Sequence, residues 1–284
     1  MLGLPLRYWL KHPTIAVADL ASDPQEIWTT IQDSYLAERE RRGCVFRYEP
    51  DAKWERRLHD LLGVRWPCEA SSEFWELWPR IVRSLEDKGI RPGPESFSSW
   101  NDGDAGLVRT TWCMVRHLKP KHVVETGVAH GVTSRCILEA MERNGDGHLW
   151  SVDLPPIERH WRVQVGVAVD GLFENRWTYI KGSSRRRLPE LLSRLGQIDL
   201  FVHDSLHSER NVRFELDLAW QVLQANGAIV VDDIDASWGF RSFTEANPGH
   251  PSIACEAEPL HPDHRRFNQK GVFGIILKRP NLPV

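Results

Sequence analysis

The sequence contains no apolar run near the roughly 20 residues needed to cross a bilayer, so a membrane-spanning protein is not expected. Its opening stretch, "MLGLPLRYWLKHP", lacks the apolar core and small-residue cleavage site of a secretory signal, which makes the cytoplasm the expected location. No C-x-x-C pair occurs among the five cysteines, and their odd number argues for reduced thiols rather than a disulfide framework or a zinc site. Charge of one sign is missing too. A formal net charge of -3 supplies no attraction for nucleic acid, and the local basic run Arg185 to Arg187 reads as a solvated helix start. Internal repeats and low-complexity tracts are absent.

What is present is a chain of 284 residues, 41% hydrophobic and 26% charged. That balance suits a soluble protein with room for one large α/β domain and an appendage. Up to about residue 104 the chain is rich in Trp and in amphipathic stretches. Trp54, Leu58, Leu61 and Leu62 recur at helical spacing, as do Phe74, Leu77, Ile81 and Leu85. These predict a helical subdomain over residues 1–104. The Pro, Gly, Ser and Asp content of "IRPGPESFSSWNDGDAG" then marks a long loop, and its last part, "SSWNDGDAG", is positioned to close over a ligand.

Residues 105–284 have a different rhythm. After a helix at "LVRTTWCMVRHL", strand-like segments "HVVET", "HLWSVD", "WTYIKG", "IDLFVHD" and "GAIVVDD" alternate with helical stretches near 131–144, 158–171, 185–195 and 207–224. Such alternation predicts a parallel sheet with helices on both faces, doubly wound by the right-handedness of its crossovers. The final candidates, "SIACEAEPL" and "KGVFGIILK", have no helix between them and should pair antiparallel.

Ligands of open parallel sheets bind beyond the carboxyl ends of the strands, and three consecutive tips here carry suitable groups. "HVVET" runs into Gly127 and Gly131, where the backbone can turn sharply and leave room for a nucleotide-like group. The next strand ends in Asp153, whose carboxylate can accept from both hydroxyls of a ribose. The third ends in Ser183 and Ser184, placed to bond an adenine edge. A nicotinamide oxidoreductase would use similar geometry, but Gly127-Val128-Ala129-His130-Gly131 is one glycine short of G-x-G-x-x-G. Glu125 suits a cationic, amino-acid-bearing ligand better than a pyrophosphate.

Adjacent parallel strands bring their tips side by side, so Asp204 after the fourth strand and Asp232 and Asp233 after the fifth should meet. Crowded carboxylates repel unless a cation sits among them, and an all-oxygen set favours a hard ion, Mg²⁺ first. His207 follows Asp204 by three residues, near where a metal-held hydroxyl would lie, and imidazole can take its proton. Trp238, Phe240 and Phe243 are candidates for lining an acceptor pocket or for packing a helix on the sheet.

"VVETGVAHGVTS" resembles motif I of class I S-adenosylmethionine-dependent methyltransferases, and Asp153, "GSS", "FVHDSLH" and "VVDDID" follow in the order of that family's later motifs. The similarity spans roughly residues 105 to 279 and is greatest to metal-dependent O-methyltransferases of the catechol and macrocin or mycinamicin types. It implies a Rossmann-like, doubly wound α/β sheet of seven strands with an antiparallel last strand. It also implies S-adenosylmethionine held by Glu125, Gly127, Ala129, Gly131, Thr133, Ser134, Asp153, Ser183, Ser184 and Asp204. Asp204, Asp232 and Asp233 would hold Mg²⁺ or another hard divalent cation, and Asp204 and His207 would be the catalytic pair, with His207 as general base. Ala129 departs from the glycine common at its position. A hydroxylated small molecule is then the expected acceptor, with no nucleic acid or membrane partner, and the Trp-rich N-terminal region is compatible with a homodimer. A nicotinamide-dependent oxidoreductase and a non-catalytic cofactor-binding protein of the same fold are the other readings held open.

Overall fold

The computed structural model describes residues 23–43, 48–91, 104–156, 159–169, 171, 173–258 and 272–280, together with 11–14, 17 and 21. Seven strands form one sheet: β1 (His122–Thr126), β2 (His148–Asp153), β3 (Trp177–Lys181), β4 (Ile198–His203), β5 (Leu223–Val231), β6 (Ser252–Glu256) and β7 (Val272–Leu277). Their order is β3-β2-β1-β4-β5-β7-β6, and β1 to β5 pair in parallel. β7 runs antiparallel to both its neighbours, β5 and β6. The expected antiparallel end pair is therefore present, with the reversed strand inserted inside the sheet rather than added at its rim.

Nine helices are described: α1 (Pro24–Gly43), α2 (Trp54–Leu62), α3 (Glu69–Asp87), α4 (Ala105–Leu118), α5 (Val132–Asn144), α6 (Arg159–Arg162), α7 (Ser184–Leu195), α8 (Glu209–Val222) and α9 (Gly239–Ala246). Successive strand residues point to opposite faces, so Val123 and Val124 enter different cores. One core joins Val123, Leu149, Leu200 and Val230 to α2, α3, α4 and α5. The other joins Val124, Phe201, Ile229 and Val231 to α7, α8 and α9. The N-terminal helices share the first core: the indole nitrogen of Trp112 donates to the Ala70 carbonyl at 2.7 Å, and Trp54 meets Phe273 of β7 edge-on.

Two segments depart from the sequence reading. The helix expected over 158–171 closes after four residues, at Arg162. Beyond it the amides of Gly166 and Ala168 donate to the carbonyls of Ala129 and His130, both at 2.9 Å, while those of Gln164, Val165, Val167 and Val169 close only three-residue turns within the segment, so the chain is tied to the glycine turn as well as to itself. β5 begins at Leu223, before the expected Gly227, and its ladder with β4 shifts register over this stretch. Most of the long loop before α4 lies outside the described residues. No described helix is long and apolar enough to cross a membrane.

Candidate active site

β1 delivers its tip into a turn wound left-handed at alternate residues, with φ of +84° at Gly127, +46° at Ala129 and +80° at Gly131. Gly127 is required by the protein itself: a Cβ there would lie 1.9 Å from the Asp204 carbonyl oxygen, because the tips of β1 and β4 touch. Gly131 backs onto Gly166, 3.0 Å from where its Cβ would sit. Ala129 adopts, at a cost of roughly 1–2 kcal/mol, the conformation that a glycine would adopt freely. The turn is held to β2 by the Gly127 amide on the Val152 carbonyl (2.9 Å) and the Val128 amide on Asp153 Oδ1 (3.2 Å). Asp153 Oδ2 accepts from the Tyr179 hydroxyl at 3.1 Å, which fixes the carboxylate at the β2 tip.

Glu125 is buried one residue before the end of β1. Its Oε2 accepts from Ser134 (2.6 Å) and Ser151 (2.7 Å), and burial pushes its carboxyl up to about 7. Ser134 is thus committed to Glu125, whereas Thr133 is only half-buried on the first turn of α5. His130 is buried with Nε2 3.0 Å from Gln164 Oε1.

At the β3 tip the structure adds a feature that was not anticipated. Glu26, Asp33 and Glu40 recur every seventh residue of α1, and this acidic stripe lies across the starts of α7 and α8. Glu26 Oε1 accepts from the Ser183 amide at 2.9 Å, Asp33 pairs with Arg185 at 3.2 Å, and Glu40 Oε2 accepts from the Glu209 amide at 2.5 Å. Arg186 reaches Glu26 at 3.1 Å and pairs with Asp23. The run Arg185 to Arg187 is therefore not a solvated helix start, since two of its three cations dock α1. Ser184 Oγ lies 3.5 Å from Asn211 Oδ1.

Asp204, Asp232 and His207 converge at the ends of β4 and β5, each offering a ligand atom within 4.8 Å of the others. His207 Nε2 stands 3.9 Å from both Asp204 Oδ1 and Asp233 Oδ2, so Asp233 joins the group through the imidazole. Loss of water and the nearby charge of Asp233 push the Asp204 carboxyl up to about 8 and raise Asp232 as well. Burial holds His207 below the ordinary histidine range. A hard divalent ion fits these oxygen donors and would offset the repulsion among them.

Behind the cluster is a buried network that sequence reasoning missed. Glu215 of α8 accepts from Thr126 (2.5 Å), Ser205 (2.8 Å) and Asn211 (2.9 Å) and lies 2.7 Å from His203 Nδ1. Although burial opposes ionisation, His203, Ser184 and Thr126 draw its carboxyl down to about 2. Glu215 lies among the apolar positions of α8, Val212, Leu216 and Ala219, and a carboxylate inside such a stripe was the available signal. Phe240 and Phe243 are buried in the core, leaving Trp238, 42% exposed, as the aromatic of that segment facing outward.

Residues 124–234 match a family model described as a methyltransferase domain. No curated protein matches the chain significantly. Among solved structures it is similar to the O-methyltransferase TomG from Streptomyces achromogenes, in complex with SAM, at 15% identity and a TM-score of 0.51 over 80% of this chain and 96% of that one. Cofactor-bound Rv0187 from MTB gives 15% and 0.51 over 82% and 100%. An O-methyltransferase from Bacillus cereus in complex with SAH gives 12% and 0.50 over 80% and 98%. The reversed β7 and the family match favour methyl transfer over the nicotinamide chemistry left open by the sequence. Residues 124–234 thus resemble a methyltransferase domain, and the seven-stranded sheet with its reversed β7 is the fold these O-methyltransferase structures share.

Proposed function

We propose that the protein is a divalent-metal-assisted O-methyltransferase acting on a hydroxyl of a small molecule. The observation that carries this reading is the meeting of Asp204, Asp232 and His207 at two strand tips, with Asp233 beside the imidazole and the glycine turn touching Asp204. Cofactor-bound relatives of the same fold support S-adenosylmethionine as methyl donor.

In this reading the glycine turn and Thr133 seat the methionine end, with Glu125 as the nearby counter-charge. Asp153 receives the ribose hydroxyls, and Ser183 and Ser184 face the adenine edge. Asp204, Asp232 and Asp233 would hold the divalent ion. Such an ion, when bound, lowers the pKa of an acceptor hydroxyl and fixes its orientation. His207 takes the acceptor proton at Nε2; its depressed pKa keeps the ring neutral, and so able to accept, near neutral pH. The sulfonium already activates the methyl group, so the remaining task is alignment of oxygen, methyl and sulfur. Trp238 is the exposed aromatic nearest in sequence to Asp233 and is offered to the acceptor.

Calorimetric titration of S-adenosylmethionine with and without Mg²⁺ tests the cofactor assignment. A screen of hydroxylated acceptors, read by release of S-adenosylhomocysteine, tests the reaction. Asp204→Ala is expected to abolish Mg²⁺-stimulated turnover while leaving cofactor affinity within a few-fold. Equal turnover in that variant would remove the metal from the mechanism.

A further inference from the structure

A second group of potential ligands lies away from the strand tips, where α2, α3 and α4 meet. His59 projects from α2, Cys68 caps the start of α3, and Cys113 and His117 stand one turn apart on α4. His59 Nε2 is 3.0 Å and His117 Nε2 is 3.3 Å from Cys68 Sγ. The donor atoms of His59, Cys68 and Cys113 all lie within 4.8 Å of one another, and the two imidazoles meet edge to face at 5.3 Å. α4 leads directly into the start of β1, so the group sits toward the opposite end of the sheet from the carboxylates.

We infer that His59, Cys68, Cys113 and His117 form a structural zinc site that fastens the N-terminal helices to the methyltransferase domain. Two sulfurs and two imidazole nitrogens are a tetrahedral zinc set. Around zinc, a sulfur and a nitrogen ligand stand about 3.6 Å apart, from bond lengths of about 2.3 and 2.05 Å, so the observed spacings of 3.0 and 3.3 Å would open by about 0.6 and 0.3 Å. His59 is already oriented: its Nδ1 lies 2.7 Å from the Glu55 carbonyl, to which it donates, leaving Nε2 to face the sulfurs. That second hydrogen bond is what zinc-bound histidines use to fix ring and tautomer. His59 and Cys113 are fully buried, and two thiolates balance the charge of one zinc ion there. The expectation of no zinc site rested on the missing C-x-x-C, but these ligands are paired by folding rather than by adjacency. With all four positions filled by protein, the ion would be closed to substrate, which makes its role structural.

The test is metal content and cobalt substitution in the full chain. Wild-type protein exposed to Zn²⁺ and desalted is expected to retain one zinc per chain. Co²⁺ in its place should give intense tetrahedral visible bands and a thiolate-to-cobalt charge-transfer band in the near ultraviolet. Cys68→Ser and Cys113→Ser should each lose the charge-transfer intensity, and His117→Gln should weaken retention. Asp204→Asn, which alters only the oxygen cluster, should leave the spectrum unchanged, so failure of the carboxylate metal reading and failure of this one are separable. If the cysteine variants do not fold, stripping wild-type protein with a strong chelator should lower its thermal midpoint, with recovery on Zn²⁺ but not Mg²⁺. Wild-type protein that binds no Co²⁺ through sulfur, or that holds a Cys68–Cys113 disulfide under reducing conditions, overturns the inference.

Discussion

Gly127→Ala separates two explanations of the same motif. If the glycine serves only to admit a cofactor, alanine should weaken S-adenosylmethionine binding and leave the ligand-free protein as stable as before. The structure argues otherwise. At φ +84° an L-residue costs roughly 1–2 kcal/mol, and its Cβ would fall 1.9 Å from the Asp204 carbonyl oxygen and 2.5 Å from the carbonyl carbon, both backbone atoms that no side-chain rotation can move. Forcing apart two packed strand tips adds roughly 1–3 kcal/mol. The expected loss is therefore about 2–5 kcal/mol without any ligand, or roughly 1 M in urea midpoint for an m-value near 3 kcal/mol/M. Gly131→Ala is the control. It meets the same kind of backbone penalty at φ +80°, but its nearest contacts are 3.0 Å to Gly166 Cα and 3.3 Å to a Val169 methyl, so the loss should be about half as large. A wild-type urea midpoint for ligand-free Gly127→Ala refutes the reasoning. Because the displaced carbonyl belongs to Asp204, the variant should also lose Mg²⁺-stimulated turnover more completely than cofactor binding.

Glu125→Gln should flatten part of the pH dependence of stability. The folded carboxyl is raised from 4.5 to about 7, so the native state keeps a proton that the unfolded chain has released. Ionisable Glu125 therefore costs stability as pH rises from about 4.5 through 7, up to about 3 kcal/mol, and urea midpoints from pH 4 to 8 should diverge in the variant's favour; parallel curves refute this. Glu215→Gln should do the reverse. Its folded pKa of about 2 lies below the ordinary 4.5, so its contribution is present above pH 4.5 and lost as pH falls toward 2. The variant should be less stable at neutral pH by about 3 kcal/mol, with a shallower acid limb in the same titration. Glu26→Ala should free the Ser183 amide and tighten S-adenosylmethionine binding by about 2- to 10-fold, the worth of one hydrogen bond. Asp33→Ala, which releases Arg185 but leaves that amide occupied, should not; calorimetry in which the two variants behave alike removes the adenine role from Ser183.

The sheet was legible because its strands obey a local rule. "HVVET" and "HLWSVD" are short apolar runs closed by polar tips, and β1 and β2 occupy those residues without adjustment. The carboxylate cluster was legible for the same reason, since parallel strands with aligned ends convert tip residues into neighbours. Where a segment's partners lie elsewhere in the chain, local pattern fails. The stretch after Arg162 has enough apolar residues for a helix, yet the amides of Gly166 and Ala168 are claimed by carbonyls of the glycine turn.

The same distinction explains the acidic face of α1 and the Cys/His group. Glu26, Asp33 and Glu40 carry no local mark of their role, because a carboxylate facing water and one facing a helix start look identical in one dimension. Only the docked geometry tells them apart: Glu26 and Glu40 each accept from a backbone amide at the first turns of α7 and α8, where the helix dipole favours negative charge. His59, Cys68, Cys113 and His117 are scattered over 59 positions for a related reason. Their separation is set by the lengths of α3 and of the loop before α4, which carry no information about metal chemistry. The i, i+4 spacing of Cys113 and His117 is the one local trace, since it puts both side chains on one face of α4. Once helix packing supplies the other pair, four separately unremarkable residues become a closed set of donors whose identity can be decided by the colour of one cobalt solution.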